Sequence, residues 1–326
     1  MCAAREFRAV IPGVPTDRAA LRPLVGDLRQ VASVRRIVLD DGAERGVRAL
    51  AFSTGGGLDF WVLADRSLDI GPLWFQGMQL GWQAPTGFAS PSLLNRLDDR
   101  GRGVERLFSG LLMTCGLEYL RQPEGGVLHG HLPMTPARLM AYGEDWDRPE
   151  PVLFCEGEMT QARVNGEALR LHRRVEAPIG VATLRIIDRV ENLGPAAQPF
   201  GLMHHVNFGF PLVRDGTRVA LDGVTLLALD PEPSAPRLFC REVAPGWRCC
   251  TIDAPLADRR LSVTLGFDGG VQGFLQLWHN LAAGTRVIAM EPCTSGRTAD
   301  GRMSADPVLE AGQCCETQVE LSCALV

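Results

Sequence analysis

Along most of the chain, apolar and polar residues alternate in short runs broken by turn residues, the period-two pattern of strands with one face in a core. Four stretches read as hairpins: RRIVLDDGAERGVRALAF (35–52), PLWFQGMQLGW (72–82), EMTQARVNGEALRLHRRV (158–175), with Asn165-Gly166 as its turn, and LSVTLGFDGGVQGFLQLW (261–278). Asp-Gly, Asn-Gly and Gly-Gly between apolar runs are strong hairpin signals, because these residues accept the positive φ of tight turns. Helical periodicity is scarce. One helix is predicted near 16–32, capped by Thr16 or Asp17 and weakened by Pro23 and Gly26, and a short one over 103–109.

Many strands without alternating helices predict packed antiparallel sheets, an all-β fold. No fixed-period repeat or linker interrupts the 326 residues, and the Pro-rich pieces 149–151 and 231–236 are short enough for surface loops. One domain is expected over 1–326, with 1–33 as a partly helical extension.

Composition changes this picture little. The chain is 46% hydrophobic with a formal charge of −5, so it affords a core and has no basic surplus for nucleic acid or anionic membrane. All 33 basic residues are arginine, from which no function follows. MCAAREFRAVIPG does not read as a secretory signal, and no run of about 18 apolar residues is present to span a bilayer, so a cytoplasmic protein is expected. The ten cysteines, with adjacent pairs at 249–250 and 314–315 and no C-x-x-C, read as buried thiols rather than disulfides or a zinc site.

Four places set chemistry-bearing side chains inside strand-like runs. In LADRSLDIG (63–71), Arg66 and Asp69 interrupt an apolar stretch, as a salt-bridged turn or a ligand contact. In LHGHLPMTPA (128–137), His129 and His131 are two apart, which on a strand puts both imidazoles on one face, a spacing that also suits a metal. In GLMHHVNFGFP (201–211), His205 and Asn207 share one face and His204 takes the other. In RVIAMEPCTSG (286–296), Glu291 ends an apolar run, where an ionised carboxylate is rarely buried without a partner. Phosphate-loop, dinucleotide and serine-hydrolase motifs are absent, so no cofactor is expected.

In order along the chain, DRSLDIG, GLLMTCGLEYL, LHGHLPMTPA, LRLHRRV, LRIIDRVENLG, MHHVNFGFPL and MEPCT resemble an aldose 1-epimerase-like family of the galactose mutarotase superfamily. The resemblance spans residues 60 to 300. It implies a β-supersandwich of large antiparallel sheets with a sugar groove on one face. It implies an isomerase in which an acid, matched by His205, protonates the sugar ring oxygen while a base, matched by Glu291, deprotonates the anomeric hydroxyl. His129 matches a sugar-binding histidine and Arg66 a sugar-contacting arginine, with Asp69, His131 and Asn207 as further substrate contacts. Relatives often carry tyrosine at the position of His204, which implies that His204→Tyr is mild, and arginine at that of His131.

Two other readings stay open. One is a catalytically silent carbohydrate-binding protein of the same fold. The other is a metal-dependent sugar isomerase or lyase in which His129, His131, His205 and Glu291 share an ion. The expected partner is a small sugar, with homodimer formation left open.

Overall fold

The computed structural model of the chain describes residues 17–229, 237–298, 300 and 302–326. Its strands form large antiparallel sheets. A nine-stranded sheet runs in the order Val224–Ala228, Arg218–Leu221, Trp247–Leu256, Arg259–Asp268, Cys314–Leu325, Thr183–Asn192, Ala168–Pro178, Val152–Ala162, Arg138–Asp145. A five-stranded sheet has the order Arg237–Glu242, Phe274–Asn280, Val287–Cys293, Gly201–Phe208, Leu112–Leu117. A second five-stranded sheet is a simple meander from Ser33–Val38 to Met78–Gln79. It is stitched to the first: the Leu111 amide donates to the Gly71 carbonyl at 2.8 Å, and Gly81 bridges to Phe208.

Three of the four expected hairpins form. In two of them the turn residues sit where tight reversal needs positive φ, at Gln76 and Gly77 and at Asn165. The 35–52 hairpin pairs Ser33–Val38 with Arg48–Ser53, through a connection that contains a 3₁₀ turn at Gly42–Glu44. The fourth prediction, 261–278, is corrected. Arg259–Asp268 lies in the nine-stranded sheet and Phe274–Asn280 in the five-stranded sheet, so Gly269-Gly270 begins a passage from one layer to the other. Local turn chemistry dictates a reversal but not which sheet receives the chain.

The predicted N-terminal helix is also shorter than expected. Asp17 caps one turn, Arg18–Leu21, by accepting from the Ala20 amide at 3.0 Å; a separate 3₁₀ turn follows at Leu28–Gln30. Pro23 and Gly26 fall between them and break the run. Thr16 and the 231–236 loop lie outside the described residues. The short helix near 103–109 is a 3₁₀ helix, Gly103–Leu107. Among the described residues no helix is long and apolar enough to cross a membrane.

The principal core lies between the layers. Leu202, Val206 and Phe208 from the Gly201–Phe208 strand meet Leu171, Val175, Ile186 and Val319 from the nine-stranded sheet. A smaller cluster forms on the other face of the same strand, where Met113, Cys115, Met203, Phe274 and Cys293 are covered by Val104 and Leu120. All eight residues of Gly201–Phe208 are buried for that reason. The second face is therefore an inside surface too, and the candidate site is built on it.

Candidate functional site

Register decides which side chains meet. His205 and Glu291 occupy facing positions on neighbouring strands, since Met203 pairs with Cys293 and Val206 with Met290. Gln276 is the partner of Glu291 on the next strand, and Cys240 the partner of Gln276. Facing residues on antiparallel strands project to the same side, so one row crosses the sheet from Met113 through His205, Glu291 and Gln276 to Cys240.

The centre of that row is an acid–base pair. His205 Nε2 lies 3.2 Å from Glu291 Oε1. Glu291 Oε2 accepts a hydrogen bond from the Gln276 amide, while Oε1 has no hydrogen-bond partner among the described residues. On the other side of the imidazole, Nδ1 sits 2.7 Å from Asn207 Oδ1. The Asn207 amide nitrogen donates to the His205 carbonyl at 3.0 Å, which fixes the amide so that its oxygen faces Nδ1. Nδ1 is therefore the protonated nitrogen, and Nε2 is the nitrogen that lies next to Glu291.

Both groups are almost completely shielded, His205 at 4% exposure and Glu291 at 0%. Burial pushes the Glu291 carboxyl up to about 8 against the pull of Gln276 and Arg121, and pushes the His205 imidazole down to about 3. The resting pair thus carries one proton and no net charge near neutral pH.

Other rings close around the pair. Phe108 meets His205 edge-on at 4.8 Å between ring centres, Trp278 lies at 6.1 Å, and His129 at 5.7 Å. His129 is held there by a left-handed backbone, φ 64°, followed by Gly130 at φ 68°. Burial lowers its pKa to about 4, and its Nδ1 has no partner among the described residues. Arg121 brings a cation to this face, donating to the Ser295 carbonyl at 3.3 Å and partly opposing the burial that raises the pKa of both Glu291 and Cys293.

Two expected contacts are placed elsewhere. His131 does not share a face with His129: the segment is a loop, the left-handed turn ends strand alternation, and His131 pairs with Glu118. Asp69 belongs to a separate polar cluster between the layers. It accepts from the Thr114 amide at 3.0 Å and hydroxyl at 2.7 Å, with Arg173 at 3.4 Å. Burial lifts its pKa to about 6 despite Arg66 and Arg173. Arg66 is fully buried, donates to the Ser109 carbonyl at 2.9 Å beside Phe108, and has no partner for Nε or Nη2 among the described residues. It is shut away from solvent.

His204 joins the cluster that holds Asp69. Its Nε2 donates to Asp188 at 2.9 Å and its Nδ1 accepts from Gln272 at 2.7 Å. Arg173 grips Asp188 with two bonds, 2.7 and 2.6 Å. Burial opposes the Asp188 charge, but Arg173 outweighs it and holds the carboxyl well below the usual range. Adjacent histidines thus serve two places, one inside the sandwich and one in the site.

Sequence reasoning missed Gln276 and Phe108 and gave Arg121 no place in the site. Gln276 left a signal, a polar residue two positions before Trp278 in the otherwise apolar FLQLW. Phe108 left none, because a loop aromatic carries no periodicity. Among the described residues no group of three His, Cys, Asp or Glu side chains is arranged to hold a metal.

Comparison with known proteins places the fold. The chain is similar to a crystal structure from Klebsiella pneumoniae subsp. pneumoniae MGH 78578 described as a candidate aldose 1-epimerase. The TM-score is 0.79 at 18% identity, over 97% of this chain and 90% of that one. It is also similar to a galactose mutarotase-like protein of Clostridium acetobutylicum, with TM-score 0.56, 11% identity, and 90% and 98% coverage. A galactose 1-epimerase of Lactobacillus acidophilus NCFM gives TM-score 0.53, 9% identity, and 90% and 98% coverage. No curated protein matches the sequence. A family model described as a domain of unknown function, DUF4432, matches residues 44–244, more than half the chain. With the mutarotase-like sandwich in place and that match over its centre, the chain belongs to the DUF4432 family and has the galactose mutarotase-like fold.

Proposed function

We propose that the protein is a cofactor-free sugar isomerase that interconverts the anomers of an aldose by ring opening and reclosure. One observation carries the reading: His205 Nε2 and Glu291 Oε1 face each other at 3.2 Å in a shielded site, where burial keeps a proton on Glu291 and the positive charge off His205. A sugar whose ring oxygen and anomeric hydroxyl replace that direct contact meets one proton donor and one acceptor. The donor protonates the ring oxygen, the acceptor takes the hydroxyl proton, the C1–ring oxygen bond breaks and C1 becomes a carbonyl carbon. Rotation about the C1–C2 bond and the reverse transfers close the ring as the other anomer. Proton count and charge are restored at the end of each cycle.

His205 is the acid and Glu291 the base in this scheme. Glu291 reaches its basic form by passing its proton to His205 Nε2 across their 3.2 Å contact as the sugar enters, before its oxygens displace that contact. Asn207 supports the exchange by holding Nδ1 protonated, which reserves Nε2 for the substrate. His129, with a free ring nitrogen beside His205, and Arg121 are the proposed sugar-hydroxyl contacts, with Arg66 behind them.

A binder without catalysis gains nothing from an acid and a base placed against each other. It would place donors and acceptors apart, each toward its own hydroxyl. The test is exchange NMR or polarimetry on freshly dissolved pentoses, hexoses and deoxysugars. Anomer interconversion above the buffer rate for at least one sugar, lost in Glu291→Gln, is the expected result. Sugar binding with no acceleration for any of them supports the silent binder instead.

A further inference from the structure

Beyond the acid–base pair, a cavity of about 260 Å³ opens at the end of the strand that carries it, lined by Gln79, Trp82, Gln83, Phe210, Thr285 and Arg286. Its position is fixed by backbone bonds to the site. The Trp82 amide donates to the Asn207 carbonyl at 3.1 Å, and the Trp82 carbonyl accepts from Gly110 at 2.8 Å. Its indole N–H donates to the Thr285 carbonyl at 2.7 Å, which sets the ring plane. From Trp82 the aromatic contact runs to Phe108 at 6.1 Å and from Phe108 to His205 at 4.8 Å. The cavity is therefore the next stop along one wall, not a separate surface feature.

Its chemistry is specific. Phe210 is 73% exposed, a large apolar ring left in water at the cavity rim. Trp82 supplies a second ring, and the amides of Gln79 and Gln83, 2.8 Å apart, supply polar groups beside them. Arg286 is already paired with Asp215 at 3.3 Å, so it offers no uncompensated charge to an anion. Aromatic faces next to neutral amides suit a pyranose, whose axial C–H bonds present an apolar face and whose equatorial hydroxyls present hydrogen-bonding edges.

We propose that the substrate is a reducing disaccharide, or an aldose with a comparable neutral substituent, whose second ring occupies the cavity between Trp82 and Phe210. The inference rests on the anomer-exchange reading for the first ring. Ring opening demands a free anomeric hydroxyl at His205 and Glu291, so the substituent leaves from the opposite side of that ring, at or near O4. In this proposal that side of the first ring faces the Phe108–Trp82 wall, so that a 1,4-linked unit reaches the cavity.

Binding can be measured on the active protein, because anomer exchange at equilibrium makes no net product. Calorimetric titration of wild type with glucose, galactose, cellobiose, maltose and lactose should show at least one disaccharide bound about tenfold or more tightly than its reducing-end monosaccharide, on the scale of one aromatic ring packing. In Phe210→Ala that ratio should fall to about one. Equal affinities in wild type, or a ratio that survives in both Phe210→Ala and Trp82→Ala, overturn the proposal. So does a wild-type dimer that Phe210→Ala dissociates with the sugar ratio unchanged, which makes the rim an interface between copies. The two readings fail separately. Exchange on monosaccharides with no disaccharide preference removes the second-ring site alone. A Phe210-dependent disaccharide preference without any exchange removes the isomerase reading alone.

Discussion

His204 and His205 are consecutive, yet their imidazoles belong to different environments: His204 lies 2.9 Å from Asp188 inside the sandwich, and His205 lies 3.2 Å from Glu291 on the opposite face of the strand. Replacing each should fail in a different way. His205→Asn is expected to slow anomer exchange by about 10²–10⁴-fold, the usual share of one acid–base group, with little change in melting temperature. His204→Tyr is expected to destabilise by roughly 2–4 kcal/mol, because Asp188 and Gln272 each lose a buried partner and the larger ring must fit a fully buried position. This prediction runs against the expectation from related sequences that His204→Tyr is mild. Thermal melts and exchange rates on the two variants check it; a stable His204→Tyr protein would sink the network argument.

The ion cluster behind His204 predicts a larger effect. Asp188 compensates a fully buried Arg173, and Asp69 sits near the same guanidinium. Asp188→Asn leaves that charge half-compensated and should cost about 3–5 kcal/mol. Chemical denaturation measures it. A loss under about 1 kcal/mol would mean that Asp69 alone neutralises Arg173.

The pH profile follows from the shared proton. Below about 3 the pair gains a further proton and loses its base; above about 8 it loses the proton held on Glu291 and with it the acid. Between those limits kcat/KM for anomer exchange should be flat, with a fall on the alkaline side beginning near 8. A bell centred near 6 would instead place two ordinary, solvated groups in the site. Profiles taken from pH 4 to 9.5 decide between these shapes.

Asn207 gives a way to move one limb of that profile. It accepts from His205 Nδ1 with a neutral oxygen. In Asn207→Asp a carboxylate takes the same place and stabilises the imidazolium, so the His205 pKa rises. The acid limb should then move up into the measurable range while the alkaline limb stays near that of wild type. An unchanged acid limb would show that Asn207 only packs against the ring.

Much of this was readable from residue order alone, for a definite reason. Alternation in MHHVNF fixes that His205 and Asn207 share a face and His204 does not, and strand geometry obeys it. The strand-like reading of LHGHL fails because Gly130 and the left-handed His129 turn the chain, and nothing in the alternation of apolar residues records a φ angle. Asp69 misled for another reason. A buried acid near an arginine reads the same whether the arginine is Arg66, three residues away, or Arg173, which only tertiary packing delivers. Likewise LGFDGGVQGFL carries a true turn signal, but pairing across layers depends on contacts with strands far away in sequence, so the hairpin it suggests does not form.

The carboxyl that makes the proposed chemistry work should also weaken the fold, in a pH-dependent way. Glu291 titrates near 8 in the folded protein against about 4.5 when exposed, so between those values the folded state holds a proton that the unfolded chain has released. The stability linked to this group is complete below about 4.5 and declines as pH rises, with the decline ending once the folded group ionises near 8. Glu291→Gln keeps the shape and cannot ionise. Its stability relative to wild type should therefore grow on going from pH 5 to pH 8, by something on the order of 2–4 kcal/mol. His205 works in the other direction but below its exposed value of 6.5, and both proteins contain it, so the difference between them isolates Glu291. Urea melts of both proteins at pH 5, 6.5 and 8 give the comparison. A constant difference across that range would mean that the folded pair holds no extra proton, with Glu291 ionised beside a neutral His205, and the single-proton description of the site would have to be abandoned.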